Sequence, residues 1–297
     1  MQGKVVSSFS NTYQVYSLGV NYTVLPKGVF RHQKKHVCVG DNVIIDDNNL
    51  TILDVSERKN ELIRPKASNV DQIFVTMSVK EPELSIELIY KFLTYINMNN
   101  IPAKLILTKI DLLDDLSSVN LLKNDLEKLG IEVFFVSNKD KNSIKNIVSS
   151  LDNKTSIFMG QTGVGKSSLI NLIDPNYDRK IGSYSISRGR GKHQTKEVIL
   201  LPFENGFIGD TPGFSALDLG IFKEDLAQFF PGYNSLYTSC FFSDCLHQNE
   251  KKCRVKEEVE VGNLSKNAYE IYLKLLNELP YRKERYNLWK ILLLLVY

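Results

Sequence analysis

Gly160-Gln161-Thr162-Gly163-Val164-Gly165-Lys166-Ser167 is the stretch on which the fold turns. It satisfies the pattern G-x-x-x-x-G-K-[ST] in full. An apolar, β-prone run from Thr155 to Met159 precedes it, and a helical run from Lys166 to Ile173 follows. Strand, Gly-rich turn and helix in that order make a phosphate cradle. The glycines let backbone N–H groups point inward at phosphate oxygens, and the helix N-terminus adds partial positive charge. Residues 160 to 168, with Ser168 closing the run, are expected to hold the phosphates of a nucleotide. Lys166 is expected to reach the β- and γ-phosphates, and the Ser167 hydroxyl to ligate Mg²⁺. A chance Gly-rich turn would not bring both flanks with it.

Upstream, Thr108-Lys109-Ile110-Asp111 follows the strand-like run Ala103 to Leu107. It fits [NT]-K-x-D. The Asp111 carboxylate can accept from guanine N1–H and from the N2 amino group, a donor pair that adenine lacks. The Lys109 stem can cover the ring face. Alone, this tetrapeptide reads equally well as a helix start capped by Asp111; beside a full phosphate loop it reads as a guanine site. Downstream, Asp210-Thr211-Pro212-Gly213 fits D-x-x-G, a loop that senses the γ-phosphate and contacts Mg²⁺ through its Asp. Between the two lies the basic, Gly-rich run Ser187 to Lys196, where Thr195 is the candidate second Mg²⁺ ligand. Phe214 occupies the place where Ras-like enzymes carry a water-orienting Gln. His193 is therefore the candidate for that task, with Lys166 and Thr195 completing the catalytic set.

The order of these motifs is unusual. The base reader at 108 precedes the phosphate loop at 160 and the sensor at 210, whereas ordinary GTPases place the base reader last. A parallel sheet tolerates such a permutation when the original termini lie close together. The sensor then leads directly into the C-terminal region, so nucleotide state could be passed on through a short covalent link.

Around this centre the chain divides into three. Residues 1–64 carry short β-prone runs (Lys4 to Leu18, Tyr22 to Leu25, Val37 to Val39, Asn42 to Ile45, Leu50 to Val55) punctuated by Gly. About five strands in so few residues predict a small OB-fold or SH3-like barrel. Residues 65–218 alternate strand and helix patterns, as a parallel α/β P-loop domain does. Residues 219–297 are predicted to be helical, interrupted by a Cys-rich loop. There, Cys240-x₄-Cys245-x-His247-x₅-Cys253 places four soft or borderline ligands in a short span. Three Cys and one His complete a tetrahedral Zn²⁺ shell with no position left for substrate, which makes the site structural, one zinc per chain. Cys38 stands apart and is expected to be a buried barrel residue.

Bulk properties narrow the class. Of 297 residues, 43% are hydrophobic and 24% charged, as in soluble globular proteins. Four Cys are too few for a secreted disulfide scaffold, so a reducing, cytoplasmic setting is expected. No apolar signal-peptide core follows Met1, and the longest apolar run, Ile291 to Tyr297, is far too short to span a membrane; it reads as the buried side of a terminal helix. The net charge of +3 permits a nucleic-acid partner without demanding one. Positive charge gathers at Arg31 to His36, in the 187–196 loop, and at Lys251, Lys252 and Arg254. Each cluster alone reads as solvated surface; barrel and GTPase motifs together favour RNA, bound with salt-sensitive affinity.

The combined motifs resemble one family, the circularly permuted GTPases that assist maturation of the bacterial small ribosomal subunit. The likeness runs through GDNVII at 40–45, NELIRP at 60–65 and NVDQ at 69–72, then TKID, GQTGVGKSSLIN, the Arg/Gly/His/Thr loop and DTPGF. It ends on the Cys-x₄-Cys-x-His-x₅-Cys run with VKEEVE after it. The resemblance implies an OB-fold, a permuted GTPase domain and a C-terminal zinc domain. It implies weak intrinsic hydrolysis stimulated by the small subunit, and release on turnover; the small subunit and its rRNA are the expected partners, and a monomer is the expected state. By position, His193 is the switch His and Thr195 the Mg²⁺ Thr. The family commonly has His-Thr-Thr where this chain has His193-Gln194-Thr195. The third base-contact motif is faint, with Ser137-Asn138 as its candidate. Two other readings stand beside this one: a GTP-gated RNA-binding module with negligible turnover, and a P-loop ATPase or kinase, against which Asp111 argues.

Overall fold

A computed structural model describes residues 1–28, 36–179, 198–214 and 217–282. The chain forms two compact units, Met1–Leu217 and Asp218–Tyr297.

The first unit opens with a closed five-stranded barrel. Its strands are β1 (Gln2–Phe9), β2 (Thr12–Ser17), β3 (Val20–Pro26), β4 (Asn42–Asp46) and β5 (Thr51–Val55), in the order β1-β2-β3-β5-β4. Only the β3–β5 pair is parallel. Alternate residues point inward, so Val5, Val15, Val24, Val43, Ile45 and Ile52 fill the interior, each at most 1% exposed. Each such burial contributes ~1.5–3 kcal/mol. The count of five strands matches the sequence pattern, but the strands are not those expected. Lys4 to Leu18 is two strands joined by a tight turn after Phe9. Val37 to Val39 is no strand: the Asp41 carboxylate accepts from Cys38 N–H at 2.7 Å, and Asp41 N–H donates back to the Cys38 carbonyl at 3.1 Å. That side-chain turn competes with strand geometry and wins. Cys38 itself is buried, as expected.

Asp41, fully buried, also accepts from Arg58 at 2.7 and 2.9 Å and from Ser68 Oγ at 2.7 Å. It ties the barrel to the small hairpin β6 (Glu61–Leu62) and β7 (Ala67–Ser68) that leads into the second layer.

That layer is a six-stranded sheet of β8 (Gln72–Ser78), β9 (Ala103–Thr108), β10 (Val133–Phe135), β11 (Thr155–Gly160), β12 (Ile199–Phe203) and β13 (Gly206–Asp210). Its order is β10-β9-β8-β11-β13-β12. Helices α1 (Ile86–Met98), α2 (Ser117–Lys128), α3 (Lys145–Ser149) and α4 (Lys166–Ile173) connect successive strands. Every residue of β8 and β11 is buried, the mark of parallel strands covered on both faces. Phe74 and Phe158 stack at 4.9 Å across this pair. Strand β12 departs from the parallel expectation and runs antiparallel to β13, because only Glu204 and Asn205 separate them and no crossover fits in two residues. Strand order reverses between β8 and β11, which is where open α/β sheets bind ligands beyond the carboxyl ends of their strands.

The second unit contains α5 (Leu226–Phe229), α6 (Arg254–Glu260) and α7 (Lys266–Glu278). Its first part is less helical than expected, since residues 231–253 are mostly turns and a 3₁₀ segment. Phe230, Tyr233 and Tyr272 form its aromatic centre, with ring centroids 4.8–5.2 Å apart. Ile291 to Tyr297 lies outside the described residues. Among those described, no helix is long and apolar enough to cross a membrane.

Candidate functional site

The phosphate loop joins β11 to α4 and borders a cavity of about 490 Å³, lined among others by Thr162, Lys166, Ser167, Tyr177, Asp210 and Gly213. Close packing sets the loop's position. A Cβ on Gly160 would lie 1.9 Å from the Thr76 carbonyl oxygen, so β8 and β11 can approach there only with Gly. Lys166 is 7% exposed and donates to the Gly160 and Gln161 carbonyls at 3.1 and 3.0 Å. Burial lowers its pKa, and the Asp210 carboxylate opposes that shift. An ammonium held across its own loop is placed to exchange carbonyls for phosphate oxygens.

Asp210 ends β13, one strand from the loop, with Phe158 of β11 opposite it. Its Oδ2 accepts from Ser167 Oγ at 2.8 Å. Its Oδ1 is buried and has no partner. Burial raises the Asp210 pKa, while the Ser167 hydrogen bond and Lys166 act the other way. A hydroxyl and a carboxylate oxygen left unpaired form a hard-oxygen donor set, which fits Mg²⁺. Thr211 Oγ1 donates to the Phe158 carbonyl at 3.0 Å and anchors the turn. Phe214 N–H donates to the Gly160 carbonyl at 3.1 Å, and its ring packs edge-on against Phe92 at 5.8 Å. It presents nothing polar to the cavity.

The base reader sits at the end of β9, which pairs with β8 in register Ser78–Thr108. Thr108 is buried, and its hydroxyl lies 2.6 Å from the Val164 carbonyl and 3.2 Å from that of Met77. Lys109, in the left-handed region at φ 60°, donates from Nζ to the Glu81 and Gly163 carbonyls. Two residues of T-K-x-D thus bond to the phosphate loop directly. Asp111 lies in a 3₁₀ turn, Ile110–Leu112, outside the lining of the cavity. Its Oδ1 accepts from Ser137 Oγ at 2.9 Å, and its Oδ2 pairs with Lys139 Nζ at 2.7 Å. Those two contacts, Lys139 first, hold its pKa below the usual carboxylate value. The faint motif therefore does reach the base reader through Ser137, while Asn138 is exposed.

His193, Gln194 and Thr195 lie outside the described residues, as do Arg31 to Lys35. His36, from the expected basic loop, pairs with Glu61 at 2.9 Å. Arg254 pairs with Glu257 and Glu258, whereas Lys252 lies over the Phe241 ring at 4.7 Å. Lys139 and Tyr177 are site neighbours that no sequence motif marks. Lys139 had a signal, standing two residues after Ser137; Tyr177 belongs to no motif.

In the second unit, Cys240, Cys245, His247 and Cys253 converge, with ligand atoms all within 4.8 Å of one another. His247 Nδ1 is 3.4 Å from Cys240 Sγ, 3.4 Å from Cys245 Sγ and 3.3 Å from Cys253 Sγ. Cys240 and Cys253 Sγ are 3.9 Å apart. Tetrahedral coordination with Zn–S near 2.3 Å and Zn–N near 2.0 Å puts S···N at about 3.5 Å and S···S at about 3.8 Å. The cluster can hold a metal ion of that kind. Burial pushes the His247 pKa down to about 4, which keeps the imidazole neutral and able to ligate. Burial pushes Cys245 up to about 12, a shift that a cation among the sulfurs would reverse. Tyr269 and Tyr272 donate to the His247 and Leu246 carbonyls at 2.8 and 3.1 Å, and the Glu250 carboxylate accepts from Leu246 and Gln248 N–H at 2.8 Å.

A five-stranded barrel followed by a P-loop sheet with its base reader ahead of its phosphate loop defines a circularly permuted GTPase. The comparisons agree. Residues 55–220 match the RsgA GTPase family model, and residues 2–51 match the RsgA N-terminal domain. The chain is 39% identical to the small ribosomal subunit biogenesis GTPase RsgA 2 of Oceanobacillus iheyensis, over 96% of this chain and 99% of that one. It is 36% identical to the RsgA of Bacillus subtilis, over 96% and 99%. The solved YjeQ from Thermotoga maritima superposes with a TM-score of 0.78 at 34% identity, over 93% of this chain and 97% of that chain. YloQ, described as a circularly permuted GTPase, gives 0.76 at 33%, over 93% and 94%. The chain belongs to the RsgA GTPase family, and hydrolysis of GTP is the activity of that family.

Proposed function

We propose that this GTPase binds the maturing small (30S) ribosomal subunit and its rRNA in the bacterial cytoplasm, as a monomer, and couples GTP hydrolysis to late assembly and to its own release. The observation that carries the reading is the bond from Thr108 Oγ1 to the Val164 carbonyl, which joins base reader and phosphate loop in one site. It sits in a chain that aligns over 96% of its length with a protein named for small-subunit biogenesis. The proposed domains are 1–64, an RNA-binding OB-fold; 65–218, the permuted GTPase; and 219–297, held by one structural Zn²⁺ on Cys240, Cys245, His247 and Cys253.

In this reading Asp111 accepts from guanine N1–H and N2, with Thr108, Lys109 and Ile110 shaping the base site. Residues 160–168 wrap the phosphates, and Lys166 bears on the β- and γ-oxygens. Ser167 and Thr195 would hold Mg²⁺, with the Asp210 carboxylate next to Ser167; when bound, the ion would neutralise charge on the β- and γ-phosphates. His193 orients the attacking water, since Phe214 cannot. Gly213 follows the γ-phosphate from the edge of the loop.

Two outcomes test this scheme. Purified protein is expected to hydrolyse GTP slowly alone and much faster with 30S subunits, and to gain nothing from 50S subunits or with ATP. Equal slow turnover in every mixture would leave a GTP-gated RNA binder in its place. Gly213→Ala is expected to slow single-turnover hydrolysis by about a hundredfold, since misplacing a reacting group by about 1 Å costs that much. A Cβ there would lie 2.3 Å from Thr162 Oγ1 and 2.6 Å from its Cα, so the sensor must move. Wild-type turnover in this variant would remove Gly213 from the phosphate end.

A further inference from the structure

Two buried polar atoms at the cavity, one of them the Asp210 oxygen already placed at the cation end, lack a hydrogen-bond partner of normal geometry. Tyr177 is 2% exposed and lines the cavity, and its hydroxyl, with the Asp210 backbone beside it, makes no hydrogen bond of normal geometry. Asp210 Oδ1 borders the same cavity in the same condition. Buried polar groups are nearly always paired, so two orphans in one place imply an occupant. A carboxylate oxygen only accepts, whereas a phenol both donates and accepts. They do not bond to each other. Water fits between such groups, because it can donate to the carboxylate and still exchange a hydrogen bond with the phenol.

The segment is held in place without any ligand. Tyr177 N–H donates to the Asp174 carbonyl at 2.9 Å just after α4. Next to it, Asp178 and Asn171 exchange two hydrogen bonds, Asn171 Nδ2 to Asp178 Oδ2 at 2.8 Å and Asp178 N–H to Asn171 Oδ1 at 3.2 Å. The ring is therefore preorganised. Burial, with the charges of Asp210 and Asp178, pushes the phenol pKa well above the usual tyrosine range, so the hydroxyl keeps its proton. Magnesium retains several of its waters when bound to proteins, and those waters are fixed by groups outside the metal's own ligand set.

We propose that Tyr177 is a positioning residue of the cation end of the nucleotide site, its hydroxyl holding a water of hydrated Mg²⁺ together with Asp210 Oδ1. This rests on reading Ser167 and Asp210 as the cation end of a GTP site. If Tyr177 served only to fill space, phenylalanine would replace it without consequence.

Tyr177→Phe tests this because it removes one oxygen and keeps the ring. Binding of a fluorescent GDP analogue is titrated with Mg²⁺ from an EDTA-treated start, with Asp210→Asn as a control expected to flatten the Mg²⁺ dependence. In Tyr177→Phe, affinity in EDTA and the thermal midpoint are expected to match wild type, while the Mg²⁺ concentration for half-maximal tightening rises about tenfold. A titration that coincides with wild type overturns the proposal, as does a loss of affinity that is the same with and without Mg²⁺. Absence of any Mg²⁺ effect in the wild-type protein would instead overturn the underlying site reading.

Discussion

Asp111→Asn is expected to weaken GTP binding by at least about a hundredfold and to let xanthosine triphosphate bind in its place. Two charge-assisted hydrogen bonds from guanine are lost, each worth ~1.5–3 kcal/mol, which together span about 10²- to 10⁴-fold. Xanthine has a carbonyl where guanine has the N2 amino group, so an amide side chain that donates at that point matches it. The surroundings sharpen the effect. Asp111 is held by Ser137 Oγ and Lys139 Nζ, so the side chain is already aimed and needs no reorganisation. An asparagine keeps the Ser137 contact and drops the ion pair. Titration calorimetry with both nucleotides reads the result directly. Unchanged GTP affinity would mean that Asp111 does not read the base.

Stripping the metal, or replacing Cys253 with serine, is expected to collapse residues 218–282 while leaving nucleotide binding in Met1–Leu217. Cys253 is 2% exposed, touches His247 Nδ1 at 3.3 Å and stands at the N-cap of α6. Structural Zn²⁺ in small domains contributes ~10–16 kcal/mol, more than a unit of this size has to spare. Tyr233 and Tyr272 of the aromatic centre meet the His247 ring at 6.2 and 6.0 Å, so loss of an ion held there would expose the core as well as the ligands. Metal analysis should give one zinc per wild-type chain. Circular dichroism should show the helical signal of α6 and α7 fall on chelation under mild denaturant. A chelated protein with intact helicity would show that the four side chains pack without a metal.

Much of the site was legible because its chemistry sits on contiguous residues. The phosphate loop, T-K-x-D, D-x-x-G and the Cys/His run each need fixed spacing on one turn or strand end, and spacing is visible in a sequence. Partners brought together by folding were not. Lys139 meets Asp111 only because the loop after β10 folds back beside β9, and nothing in a local pattern reports that. Tyr177 has no motif; its role follows from burial and an unpaired oxygen. Five barrel strands are legible in the sequence but not their identities, because Asp41 turns Val37 to Val39 away from strand geometry while Lys4 to Leu18 splits in two. The antiparallel β12 could have been read from the two-residue spacer Glu204-Asn205, which suits a hairpin and nothing longer.

The strand order also has a consequence for synthesis. As the chain emerges, β8, β9 and β10 are made first and can pair among themselves as one half of the sheet. The neighbour on the other side of β8 is β11, which does not emerge until residue 155. Through that interval a strand that is buried along its whole length in the finished fold has one edge bare, the condition in which nascent chains mispair. The base reader shares this wait, since Thr108 bonds to a carbonyl at residue 164. A ribosome-bound intermediate halted before residue 155 should therefore carry every residue of the guanine motif and still be unable to retain the nucleotide.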